Sequence, residues 1–87
     1  MHMSGNFSLN DIRIGECAVV KKIGSGCAIR RRLMDIGVVK NTKIECVGIS
    51  PLGDPRAYLI KGAVIAIRAA DSADIMVEST GEYNGHN

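Results

Sequence analysis

The sequence has no tryptophan, and its aromatic residues are Phe7, Tyr58 and Tyr83 alone. So few rings argue against the stacking platforms on which single-stranded nucleic acids are read. They also remove the usual anchors of a protein interface, so a partner surface here is expected to be aliphatic or polar. Histidine is confined to His2 and His86, at the two chain ends. A frayed end cannot hold a base within hydrogen-bond reach of a nucleophile, which argues against Ser-His and Cys-His catalysis. Long apolar stretches are missing as well. The longest uninterrupted run, Ala63–Ile67, falls far short of the roughly 20 residues that a membrane-spanning helix needs. The N-terminus lacks a charged segment followed by an apolar one and does not read as a signal peptide; Met1–Gly5 reads as a flexible leader. Charge is nearly balanced, with 11 basic and 9 acidic residues leaving +2. A surface that binds nucleic acid through its phosphates needs a stronger, clustered excess. The three cysteines, Cys17, Cys27 and Cys46, are odd in number and form no C-x-x-C pair. That pattern suits reduced thiols, mostly packed in the core, and a cytoplasmic location.

What is present is apolar and β-branched. Apolar residues make up 46% of the 87 positions, enough for one domain with an efficient core. The ordered body is expected over residues 9–78, with 1–8 and 79–87 as flexible termini. Leu9–Ile14 reads as a short turn of helix, which Asn10 or Asp11 could cap, or as an edge. Glu16–Ile23 is a strand of imperfect period, which implies a bulge or a solvated end. After Gly24-Ser25-Gly26, Cys27–Ile36 is the one clear helix. Ile29, Leu33 and Ile36 form its apolar stripe, Ser25 lies in its N-cap region and Gly37 stands where a left-handed C-cap belongs. Thr42–Ile49 alternates Ile44 and Cys46 with Glu45 and Val47, as a strand does. Ser50–Pro55 is a stiff double-proline turn. Arg56–Lys61 and Val64–Arg68 form a hairpin across Gly62. Asp71–Asp74 is a turn, and Ile75–Glu78 closes the series. About five short strands with one short helix after the first strand predict a mostly β fold, a small half-open barrel whose open end the helix plugs.

Little in this pattern can do chemistry. The three thiols come from separate elements without chelating spacing. Core packing is the expected role of Cys17 and Cys46, while Cys27, at a helix start, could have a depressed pKa. Gly24-Ser25-Gly26 lacks the rest of a phosphate loop and is expected to be a plain capped turn. No catalytic residue, metal ligand or cofactor is assigned. The one charge cluster is Arg30-Arg31-Arg32, with Lys21 and Lys22 near it in sequence. It is either a solvated helix face or a contact for an acidic partner or for anionic headgroups, and Asp35 is expected to neutralise part of it.

Three segments occur together in order: Arg32-Leu33-Met34-Asp35-Ile36-Gly37, Pro51-Leu52-Gly53-Asp54-Pro55 and Ala66-Ile67-Arg68. In this combination the chain resembles the FeoA family, the small ferrous-iron transport proteins A, over roughly residues 9–78. The resemblance implies an SH3-like barrel and an accessory role in ferrous-iron uptake. It implies as partner the ferrous-iron permease that carries a cytosolic GTPase domain, transport protein B, with peripheral membrane association through that permease only. It implies neither nucleic-acid binding nor enzymatic activity. Arg30, Arg31, Arg32 and Leu33, together with Pro51, Leu52, Gly53, Asp54 and Pro55, become the candidate contact residues. A second reading is an interaction module of the kind found in iron-dependent repressors; a third is a small nucleic-acid-binding barrel.

Overall fold

The computed structural model describes residues 7–26 and 28–83. Six strands and two short helices follow in chain order: β1 (Phe7–Ser8), β2 (Glu16–Ile23), α1 (Arg30–Ile36), β3 (Lys43–Ile49), β4 (Arg56–Ile60), β5 (Ala63–Ile67), α2 (Ala69–Ser72) and β6 (Ile75–Tyr83). All six strands lie in one antiparallel sheet of order β1-β6-β2-β3-β4-β5. The fold is mostly β and SH3-like, as expected, but the sheet is not closed: β1 and β5 are its two edges.

The expected bulge in β2 occurs twice, between Glu16 and Ala18 and between Val20 and Lys22, both against β6. A third irregularity lies in β3 between Cys46 and Gly48. Each adds local twist, which is what curls a flat ladder around a core. Alternation then sorts the side chains. On β3, Ile44 and Cys46 are buried while Val47 is exposed; Ile60, Ile65, Ile67, Ile75 and Val77 fill the same interior from the other strands. Tyr58 is fully buried, and its hydroxyl donates to the Leu9 carbonyl at 3.3 Å. That bond explains how a phenol can sit in the core without an unmet polar group.

The local expectations hold with specific shifts. The turn at the N-terminus is a 3-10 turn over Leu9–Asp11 entered from Ser8, and the Asp11 carboxylate accepts from the Ser8 amide at 3.0 Å. Asp11 thus serves the turn from its third position rather than from its cap. The hairpin is tighter than expected: β5 begins at Ala63, and Lys61 (φ 53°) with Gly62 (φ 83°) forms a two-residue loop. Positive φ at both central residues is the geometry that matches strand twist. The stretch expected as a plain turn at Asp71–Asp74 is partly the helix α2. Strand pairing also passes the expected ends, since Phe7 and Ser8 pair with Val77 and Met76 and β6 continues to Tyr83. Thr80 and Glu82 sustain that extension, through Thr80 Oγ1 to the Cys17 carbonyl and Glu82 to Lys43.

Candidate interaction surface

Helix α1 begins at Arg30, three residues later than the periodicity implies. Ile29 occupies the cap position in helical conformation with no side-chain bond, so Ser25 does not cap the helix. Cys27 lies outside the described residues. The C-terminus is as expected. Gly37 has φ 106°, and its amide donates to the carbonyls of Leu33 and Met34 at 3.2 and 3.0 Å, while the Val38 amide donates to Leu33 at 3.0 Å. These bonds satisfy carbonyls that the helix itself leaves open.

This short helix separates the candidate residues into two kinds. Leu33 is fully buried in the core, with Ile29 and Ile36 packed against the same cluster. It therefore cannot belong to a contact surface, and its earlier assignment there is corrected. It lies on the inward face of a seven-residue helix whose outward face carries its neighbours. Arg30, Arg31 and Arg32 are exposed, and none has an ion-pair partner among the described residues. Asp35, expected to neutralise them, likewise forms no ion pair there. Asp35 nonetheless borders the same hollow as Arg30 and Arg31, so the face carries a net positive charge that this carboxylate reduces.

The Ser50–Pro55 turn is the second candidate. The Gly53 amide donates to the Ser50 carbonyl at 2.8 Å, and the Ser50 amide donates to Pro55 at 3.1 Å. Serine first, proline second and glycine fourth is the signature of the commonest β-turn. Pro51, Leu52, Gly53, Asp54 and Pro55 are all exposed, and Leu52 is 95% exposed. A leucine displayed on a stiff, doubly bonded turn loses little freedom when a partner buries it. Asp54 does something else. Its Oδ1 accepts from the Ala69 amide at 2.8 Å, at the start of α2, so one carboxylate oxygen ties the loop to the segment after β5 while the side chain stays exposed. Arg56, next in the chain, donates to the carbonyls of Asn10 and Ile12 at 3.0 and 2.7 Å and fastens the N-terminal turn to β4.

Cys17 and Cys46 are fully buried. Burial pushes both thiols above their ordinary value, Cys17 further under the influence of Glu82. They behave as small core residues, as expected. Among the described residues, no three His, Cys, Asp or Glu side chains are placed to hold a metal ion. No helix there is long and apolar enough to cross a membrane. The two helices are four and seven residues long and are separated by three strands, so they do not form a helix-turn-helix.

The FeoA domain profile matches residues 7–79. This chain belongs to the FeoA family. Its FeoA relatives include a candidate Fe(2+) transport protein A of Methanocaldococcus jannaschii, 37% identical over 73 residues that cover 84% of this chain and 85% of the relative. The Fe(2+) transport protein A/Fe(2+) transporter FeoB fusion protein of Porphyromonas gingivalis is 31% identical over 70 residues, or 80% of this chain but only 8% of the fusion. In structure, the FeoA-like protein of Clostridium acetobutylicum matches with a TM-score of 0.80 and 33% identity, covering 98% of this chain and 99% of that one. The matched span takes in β1 and ends at Ser79, while β6 runs on to Tyr83, where the alternating pattern in the sequence fades. The missed signal is Thr80, whose β-branched side chain favours a strand although glycine follows it.

Proposed function

We propose that this FeoA-family chain is a cytoplasmic accessory protein of ferrous-iron uptake that binds the GTPase-bearing cytosolic part of the ferrous-iron permease. One observation carries the proposal: in the Porphyromonas gingivalis relative, a segment similar to this chain is part of the same polypeptide as the transporter. Covalent joining raises the effective concentration of one partner at the other by orders of magnitude. Where the two are separate chains, an interface must supply what the tether otherwise provides. The surface supports that role. The exposed Leu52 on its proline-bearing turn offers a rigid apolar contact, and the unpaired Arg30, Arg31 and Arg32 offer charge for steering and orientation. Nothing in this role requires catalysis by the chain itself.

The test is capture of the permease's purified cytosolic domain by the full chain, with and without a non-hydrolysable GTP analogue. Saturable binding that Leu52→Ser weakens at least fivefold, with an unchanged thermal melt, is the expected outcome. Absence of capture in either nucleotide state would overturn the proposal.

A further inference from the structure

Beside the outward face of α1 runs a hollow of about 410 Å³. Its floor is formed by Val20 and Val38, 2% and 3% exposed, and its walls by Met34 and Val39, 55% and 65% exposed. Lys22, Arg30 and Lys40 stand around it, and no acidic residue lines it. Lys21 also borders the hollow but is already engaged, with Glu78 at 3.3 Å and with Asn41 Oδ1 at 2.7 Å. Lys22, Arg30 and Lys40 have no partner among the described residues. Arg30 and Met34, one helical turn apart, also border a neighbouring hollow of about 490 Å³, together with Arg31 and Asp35. They form a ridge, cationic at one end and apolar at the other.

An apolar floor within a ring of unpaired cations selects its occupant by charge. Met34 and Val39 stand exposed among three cations that have no ion-pair partner among the described residues. A nucleic acid would use the cations but not the floor, and no aromatic ring lines the hollow for a base to stack on. A bilayer would take the protruding Met34 and Val39 but leave the recessed Val20 and Val38 without an occupant. A short amphipathic segment uses both features, with its aliphatic residues in the hollow and its carboxylates on the rim.

We propose that the hollow between β2, α1 and the Val38–Lys40 turn is a docking groove for an acidic amphipathic helical segment of the partner. The inference rests on the function proposed above for who that partner is: the segment lies in the cytosolic part of the permease. Binding weakens with ionic strength, because the rim charges are exposed and screened beyond about 8–10 Å at physiological salt.

Two measurements separate the groove from the partnership. In the first, the ¹⁵N-labelled chain is titrated with a synthetic 18-residue helical peptide bearing leucines on one face and glutamates elsewhere. The expected amide shifts cluster at Lys22, Arg30, Met34, Val39 and Lys40. The double variant Lys22→Glu/Lys40→Glu is expected to weaken binding at least tenfold with its melt unchanged. Shifts located elsewhere, or equal binding of a peptide with its leucines replaced by glutamine, would overturn the groove. So would tighter binding to phosphatidylserine vesicles, or to a DNA duplex, than to the peptide. In the second, the permease's cytosolic domain is captured by the wild type and by the double variant. Tenfold weaker capture by the variant supports the groove, and equal capture removes it while leaving the partnership standing. Failure of the wild type to capture the domain counts against the partnership, and the peptide titration then still decides the groove.

Discussion

Leu33 and Met34 are neighbours on α1 with opposite fates, and replacing each by alanine tests the division of that helix into a core face and a partner face. Leu33 is fully buried, at the centre of a stripe with Ile29 and Ile36 over the sheet. Truncating a buried leucine in a well-packed core costs about 2.7–5.0 kcal/mol, depending on how far the site collapses around the void. Collapse is limited here, because Leu33 shares one buried cluster with Val20, Ile44 and Tyr58 and the Gly37 and Val38 amides anchor the helix end through three hydrogen bonds. A value of about 3–4 kcal/mol is therefore expected. For a domain of this size such a loss lowers Tm by roughly 12–30 °C, at about 4–8 °C per kcal/mol. It is a large part of the roughly 4–13 kcal/mol total that about 0.05–0.15 kcal/mol per residue implies. Met34, 55% exposed, should cost less than about 0.5 kcal/mol on truncation, as surface substitutions usually do. Urea and thermal melts followed by circular dichroism measure both. If Leu33→Ala cost less than 1 kcal/mol, or no more than Met34→Ala, the helix would not be packed as described.

Other consequences follow from single contacts. Gly37→Val places a β-branched side chain at φ 106° and should destabilise by about 1–2 kcal/mol, read as a shift in the urea midpoint at constant slope. Arg56→Met removes two charge-assisted bonds to the Asn10 and Ile12 carbonyls and should cost about 2–3 kcal/mol, with amide exchange rising first at residues 9–12. Asp54→Asn keeps an acceptor for the Ala69 amide, whereas Asp54→Arg does not. A chain in which both variants melt identically would show that this contact contributes nothing. The two buried thiols have folded-state pKa values raised by burial, so their contribution is fully present below the unfolded thiol value of about 8.5 and is lost as pH climbs through the folded values. Stability should therefore decline as pH rises above the unfolded thiol value of about 8.5, and Cys17→Ala/Cys46→Ala should flatten that decline.

The sequence by itself determined the strand alternation, the apolar stripe of α1, the glycine that ends it and the proline-bearing turn. All of these are local matters: side-chain direction has period 2 or 3.6, and φ is restricted residue by residue. Family motifs lying in the right order were legible for the same reason, since they mark turns and helix ends. Tertiary structure alone decided which side chains close over that stripe, bringing Leu33 into one buried cluster with Val20, Ile44 and Tyr58 from three different strands. It decided that Asp54 reaches across the chain to Ala69, 15 residues away, and that Arg56 spans more than 40 residues to the N-terminal turn. It also gathered Lys22, Arg30 and Lys40 around three valines and a methionine. No period in a one-dimensional chain records which charges will meet once three bulges have curled the sheet.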